Sequence, residues 1–323
     1  MRDDRGLIKS LAGTTVLVLG DVMLDEYVWG EVRRISQEAP VPIVEASRRT
    51  YAAGGAGNVA VNVVGLGGIA LLGGVVGSDY SAGKLCGVLT ECGVLTNGLA
   101  TEALRPTTTK TRIVAHSQQV VRVDSEMRDP LTAELEAELL AWVEKALPTV
   151  GACVLSDYNK GVVSPGLAQA FISLARQHRK PVIVDPKGTD YAKYRGATVI
   201  TPNLHEVERV VNRELRNEDE IQMAAAQLSE MLSGGAVLIT RGPQGMSLFT
   251  SASAPAHIPT VALAVYDVTG AGDTVVSTLA LGLAVGASLE DAACLANRAA
   301  GIVVGKLGTS RVSAEELLAH STE

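Results

Sequence analysis

The sequence predicts an α/β protein built on a doubly wound, mostly parallel sheet with a small β lid, and three observations predict it. Short apolar runs rich in Val, Ile and Leu recur along the chain and read as buried parallel strands. Stretches with apolar residues at helical spacing lie between them. Several runs end in polar residues, which suits the carboxyl edge of an open sheet, where ligands sit.

Taken in order, the runs at 15–19, 152–155, 181–184, 198–200 and 236–239 are the expected strands, and 132–146, 165–178 and 218–232 the expected helices. The strand ends are Gly20-Asp21, Ser156-Asp157, Asp185-Pro186, Thr201-Pro202-Asn203 and Thr240-Arg241. Two segments break the alternation. Residues 25–49 and 107–124 are strand-like with no helix between strands, and 111–124 reads as a hairpin turning near His116-Ser117-Gln118. They form the expected lid, whose work would be to cover substrate and exclude water; an extra edge of the main sheet is the alternative.

Composition narrows the function. Of 323 residues 47% are hydrophobic, enough for a large core, and the whole length is expected to form one domain, since no repeat or linker divides it. Only 3% are aromatic and the net charge is −7, so nucleic acid is not an expected partner. Such an acidic chain must hold a phosphate with local glycine nests and a few chosen cations. Cys86, Cys92, Cys153 and Cys294 lack metal-ligand spacing and read as reduced thiols. With no signal-peptide pattern and no apolar run near 18 residues, a cytoplasmic protein without a membrane partner is expected.

The motif with the most chemistry is Asp267-Val268-Thr269-Gly270-Ala271-Gly272-Asp273-Thr274. Small residues at Gly270, Ala271 and Gly272 let backbone N–H groups approach an anion, and a helix beginning near Asp273 adds its dipole. Asp273 could take a proton from an attacking hydroxyl, which is most of what phosphoryl transfer asks of a protein. An ordinary turn with an Asp cap is the alternative. Near the other end, Gly54-Gly55-Ala56-Gly57-Asn58 opens a helix of small residues running to about Leu66. It lacks the preceding buried strand of a dinucleotide fingerprint, and 77–84 fails as a Walker A loop because its spacing is one residue too long and Leu85 follows the lysine. What remains is a glycine pair on which a polyhydroxylated ligand could lie, with Asn58 able to donate and accept, or else tight helix packing.

Asn203 and Glu206 face the same way on a helix begun after Thr201-Pro202. Glu206 could hold Mg²⁺ through water beside a nucleotide, or the two could form a capping pair. His205, with no second histidine at metal spacing, has no role. Asp21 and Asp25 could accept hydrogen bonds from sugar hydroxyls or form turns. Lys160 and Lys187 are strand-end cations that could hold phosphate or be solvated.

Together the 54–68 and 267–280 segments resemble the two signatures of the PfkB or ribokinase family of carbohydrate kinases. Within that family the chain is similar to the branch acting on D-glycero-β-D-manno-heptose 7-phosphate in bacterial ADP-heptose synthesis. Gly20-Asp21-Val22-Met23-Leu24-Asp25, Leu155-Ser156-Asp157-Tyr158, Asp185-Pro186-Lys187-Gly188 and the run 301–310 carry that likeness, which covers about 15–312. Gln37 and Gly57 depart from the branch, where proline and alanine are usual.

The resemblance implies a ribokinase-like fold with a β lid and a homodimer through the lids. It implies Asp273 as base, the Gly270, Ala271 and Gly272 amides as anion hole, and Asn203 and Glu206 at the Mg²⁺ and ATP phosphates. Thr240, Gly242, Gly245 and Asn297 would line the nucleotide; Asp21, Asp25, Gly54, Gly55 and Asn58 would hold the sugar. Arg34, Lys110, Arg112, Lys160 and Lys187 are candidates for the sugar's own phosphate, and Asp267 and Thr269 for a monovalent cation loop taking K⁺. The product would be the 1,7-bisphosphate. Another sugar, sugar phosphate or nucleoside is the alternative substrate, and a non-catalytic sugar-binding protein the alternative class. No nucleotidyltransferase half or H-x-G-H motif is present, so the expectation is a monofunctional kinase or a piece of a longer bifunctional protein.

Overall fold

Alternation along strand β1 (Thr15–Gly20) sets the architecture. Val16 and Val18 join one apolar core while Leu17 and Leu19 join another, because successive side chains of a strand leave on opposite faces. In the computed structural model residues 4–116, 118–262, 265–306 and 311–320 are described.

After β1 the strands are β2 (Val22–Ile35), β3 (Pro42–Gly55), β4 (Ile69–Val76), β5 (Leu95–Thr101), β6 (Thr109–Ala115), β7 (Gln118–Ser125), β8 (Ala152–Ser156), β9 (Val182–Asp185), β10 (Val199–Ile200), β11 (Ala236–Thr240), β12 (Met246–Phe249) and β13 (Ala256–Ile258). The helices are α1 (Asp4–Ser10), α2 (Ala56–Gly65), α3 (Tyr80–Glu91), α4 (Ala133–Ala146), α5 (Pro165–Gln177), α6 (Leu204–Val211), α7 (Glu218–Met231), α8 (Ala271–Ala284), α9 (Leu289–Val303) and α10 (Ala314–Ala319).

Among the described residues the main sheet has nine strands in the order β13-β12-β11-β10-β9-β8-β1-β4-β5. It is parallel from β11 to β5; at one edge β12 pairs antiparallel with β11 and β13 antiparallel with β12. Helices α2, α8 and α9 bury their apolar residues on one face, and α4, α5 and α7 theirs on the other. Both faces of the parallel strands are covered, which is why those strands read as continuous apolar runs.

The lid is a separate four-stranded sheet, β3-β2-β6-β7, and not an extra edge of the main one. Its strands begin earlier and end later than the sequence suggests, since β2 starts at Val22 and β3 runs through Gly55. Gly54 and Gly55 are therefore the root of the lid, and the helix after them starts at Ala56. Gly55 takes φ +56, and a Cβ there would meet the Asp21 carbonyl oxygen at 2.3 Å, so only glycine turns the strand into the helix here. Helix α8 starts at Ala271, two residues before the expected Asp273, because Gly270 with φ 80 ends the turn. Ser117 of the expected hairpin turn and residues 307–310 of the matched 301–310 run lie outside the described residues.

Candidate active site

Asp273 occupies the first turn of α8 and is 5% exposed. Its Oδ2 accepts a hydrogen bond from Asn58 Nδ2 at 2.5 Å, and its Oδ1 accepts one from the Tyr158 hydroxyl at 2.5 Å. Asn58 is aligned in turn by Asn62, one turn along α2, whose Nδ2 donates to Asn58 O (2.9 Å) and Oδ1 (3.3 Å). Thr274 Oγ1 donates to Asn62 Oδ1 (3.0 Å) and closes the network between α2 and α8. Burial pushes the Asp273 carboxyl up to about 6, against the pull of its two donors and of Lys187, and the Asp25 charge adds to the rise. A carboxylate so poised ionises near neutrality and remains a competent base.

Among the described residues no side chain caps α8, and a Cβ on Gly272 would meet open space. The first-turn amides are the ready donors of a helix start. That of Ala271 donates to Val268 O at 3.2 Å, so of the three expected anion-hole positions this one is engaged within the turn.

On the lid side, Asp25 pairs with Arg112 at 2.5 Å and both are largely buried. Gly54 makes room for that pair, since a Cβ there would lie 2.6 Å from Asp25 Oδ2. Lys110, also on β6, is held below the ordinary lysine range by burial and by the neighbouring cations Lys160, Arg112 and Arg122, with Asp25 opposing. Lys160 pairs with Glu126.

On the other side, Asn203 and Glu206 form a reciprocal cap. Asn203 Oδ1 accepts the Glu206 N–H and Glu206 Oε2 accepts the Asn203 N–H, each at 2.9 Å. The capping alternative is thus present, but it uses one oxygen only; Glu206 Oε1 is bonded to Lys187 Nζ. Thr240, Gly242, Gly245 and Asn297 line a mostly apolar cavity of about 220 Å³ that also reaches Ala271 and Gly272. Asp267 Oδ1 accepts the Thr269 N–H at 2.9 Å.

Most of the expected residues thus converge, and two sit differently. Arg34 lies at the outer end of β2, 69% exposed and 4.0 Å from Glu45. At strand rise this is roughly 30 Å from Asp25, so within one chain it does not reach the cleft. Asp21 accepts the N–H groups of Tyr158 (2.7 Å), Lys160 (3.1 Å) and Val162 (3.1 Å), and burial with the nearby Asp157 charge pushes it up to about 6. It organises the loop at 158–162, with both carboxylate oxygens engaged there. The residue missed by sequence reasoning is Tyr158. It lies in the Leu155-Ser156-Asp157-Tyr158 segment that carries the resemblance, but nothing in the spacing of Asp157-Tyr158-Asn159-Lys160 marks it for a role.

A glycine-started helix with a buried acid, a lid and an apolar pocket beside them is an arrangement suited to phosphoryl transfer from a nucleotide. The chain belongs to the pfkB family of carbohydrate kinases, whose family model matches residues 14–316. The bifunctional protein HldE of Geotalea uraniireducens (strain Rf4) is 47% identical over 304 residues, covering 94% of this chain and 62% of that protein. The HldE of Citrifermentans bemidjiense is 45% identical over 319 residues, covering 99% and 66%. The chain thus spans less than two thirds of the length of these curated relatives. Among solved structures, Arabidopsis thaliana ribokinase complexed with ribose and ATP matches with a TM-score of 0.75 at 22% identity, covering 95% of this chain and 98% of that one. Phosphofructokinase-2 of Escherichia coli in complex with potassium matches at 0.76 and 22%, covering 95% and 97%. These two likenesses establish the ribokinase-like fold.

Proposed function

We propose that this chain transfers the γ-phosphoryl group of ATP to the anomeric hydroxyl of D-glycero-β-D-manno-heptose 7-phosphate, giving the 1,7-bisphosphate and ADP for ADP-heptose synthesis in the cytoplasm. The observation that carries the sugar-phosphate reading is the crowd of cations at the root of the lid. Lys110 and Arg112 on β6 and the nearby Lys160 lie close enough to repel one another, and among the described residues Asp25, Asp124 and Glu126 carry the opposite charge there. A second anion at that end would relieve the repulsion that Lys110 feels.

Asp273 takes the proton of the anomeric hydroxyl as its oxygen attacks the γ-phosphorus, and the bond to the ADP oxygen breaks. The amides at the start of α8 offset the charge that develops. Asn58 and Tyr158 keep the base in place. Asp25 and the backbone at Gly54 and Gly55 face the sugar. Thr240, Gly242, Gly245 and Asn297 take the nucleotide; Lys187, expected from the sequence as a candidate for the sugar's phosphate, is bonded to Glu206 and is assigned instead to the phosphates of ATP.

Mg²⁺ keeps most of its water shell, and Glu206, whose Oε2 accepts the Asn203 N–H and whose Oε1 is bonded to Lys187, would be its protein anchor through water. Bound there, the ion would neutralise phosphate oxygens. Asp267 and Thr269 are the corresponding residues for K⁺. Val121 and Val123 on β7, with Ile35 and Val41 at the lid's outer end, expose apolar side chains, which supports a homodimer through the lids.

The test is ATP consumption coupled to product mass over heptose 7-phosphates, fructose 6-phosphate, ribose and adenosine, with Asp273→Asn as control. Turnover confined to the β-heptose phosphate and lost in the variant is expected. Turnover on another sugar would replace the substrate; ligand binding without turnover would overturn the kinase assignment of the site.

A further inference from the structure

The loop between β8 and α5 is tied down more heavily than a surface connection needs. Asp21 accepts three of its backbone N–H groups, those of Tyr158, Lys160 and Val162. Asp157 Oδ1 accepts the N–H of Asn159 at 2.7 Å, while its Oδ2 accepts the Tyr194 hydroxyl at 2.7 Å and pairs with Lys193 at 2.5 Å. Both carboxylates are 1% exposed. Asn159 (φ 56) and Gly161 (φ 94) take left-handed backbone, and for Asn159 that conformation carries a cost. Two buried acids and a strained turn hold one short loop in one shape.

What that shape achieves is the placement of Tyr158. Its hydroxyl donates to Asp273 Oδ1 at 2.5 Å. Its ring centroid lies 5.8 Å from Lys110 Nζ, which comes from the lid, and 5.8 Å from Lys187 Nζ, which follows β9. The aromatic ring therefore touches both halves of the cleft while its hydroxyl reaches the acid between them.

We propose that Tyr158 is the positioning residue of the base: it holds Oδ1 of Asp273 while Asn58 holds Oδ2, leaving the carboxylate a single orientation toward the attacking hydroxyl. This rests on Asp273 being the base. Each carboxylate oxygen has a second lone pair, so two donors orient the group and still leave it free to accept a proton. A phenol suits the task because it does not compete for that proton. Burial, and then the Asp273 and Asp185 charges, keep Tyr158 well above the ordinary phenol range. The charged and titratable groups facing Asp273 are Asp25 from β2, Asp185 and Lys187 at and after the end of β9, and Tyr158 itself. Among the described residues, Tyr158 and Asn58 are the side chains that donate to its oxygens.

The test compares pH profiles of kcat for the wild type, Tyr158→Phe and a chain carrying a fluorinated tyrosine, a stronger donor, at position 158. A donor on a carboxylate favours the ionised form, so its loss raises the acid's pKa. In Tyr158→Phe the acidic limb is expected to move up by about one pH unit and plateau kcat to fall roughly tenfold or more, as for a lost hydrogen bond to a charge. KM for ATP should change by less than about twofold, because the ring remains. The fluorinated residue should move the limb the other way. A purely structural Tyr158 would lower the melting temperature and leave both limbs unmoved, and that result overturns the proposal. Turnover retained in Asp273→Asn overturns the base assignment first and this inference with it, so the two failures are distinct.

Discussion

The side-chain amide of Asn58 donates to the carboxylate of Asp273 at 2.5 Å across 215 positions of sequence. Each end of the chain contributes one glycine-led helix, and this bond is where α2 and α8 meet. Asn58→Asp would put a second carboxylate against Asp273, and two such groups cannot both ionise. Activity at pH 7 should fall at least about tenfold and recover partly in alkali, as the acidic limb rises by one to three units or so. A kcat profile from pH 5 to 10 checks it, and an unchanged limb would show that the two groups do not share a proton.

The burial of Asp273 also makes stability depend on pH. Its carboxyl is pushed from 3.8 up to about 6 by burial, so between those values the folded state binds more protons than the unfolded. Stability from this group is then present below about pH 4 and is lost as pH rises through 6, by on the order of 3 kcal/mol. Asp273→Asn removes the buried charge and should melt several degrees above wild type at pH 8, with the advantage vanishing near pH 4, while turnover is lost. Melting curves at the two pH values decide it. Asp21, also raised to about 6, adds a slope of the same sign in both proteins.

The sequence made the parallel strands legible where both faces are apolar, as at β1 and β8, because a short uninterrupted run of Val and Leu suits a strand covered on both sides. Strand β4, Ile69–Val76, is not among the expected strands, and its two central glycines interrupt the apolar run. Gly73 and Gly98 of the neighbouring β5 are there for packing: a Cβ on either would meet the Trp142 ring at 2.5 or 2.4 Å. Asp273, Asn58 and Glu206 stood out because each belongs to a motif whose residue types suggest chemistry. Tyr158, though within a matched segment, did not, since its place beside Asp273 comes from the fold of a loop around Asp21 and Asp157, long-range contacts that local spacing does not encode.

The two glycines at the lid root should fail in different ways. A Cβ at Gly55 meets backbone, the Asp21 carbonyl oxygen at 2.3 Å, in a left-handed conformation that alanine resists. Gly55→Ala should lose at least about 2 kcal/mol of stability. A Cβ at Gly54 meets the movable Asp25 carboxylate at 2.6 Å and the Met23 side chain at 2.8 Å. Gly54→Ala should therefore fold, but shift the Asp25–Arg112 pair and raise the sugar KM more than the ATP KM. Urea unfolding beside steady-state kinetics separates them, and equal loss of stability in both would contradict the assignment of Gly54 to the sugar.

Lys110 and Lys187 each place Nζ 5.8 Å from the ring centroid of Tyr158, and their partners differ. Lys187 is bonded to Glu206, whereas Lys110 has cations and the Arg112-paired Asp25 around it. If Lys110 serves the sugar's phosphate, Lys110→Met should raise KM for a phosphorylated sugar roughly tenfold or more, the scale of a lost charge-assisted bond, and leave KM for ATP nearly unchanged. Relief of repulsion among Lys160, Arg112 and Arg122 should at the same time keep the variant as stable as wild type. Lys187→Met should act on the nucleotide side, and it should also destabilise the fold by leaving Glu206, 4% exposed, without its cation. KM values for both substrates in both variants, with melting temperatures, test the assignment. A Lys110 variant that loses ATP affinity instead would move the sugar-phosphate site elsewhere in the cleft, because a cation that answers to nucleotide cannot be the one reserved for the sugar's phosphate.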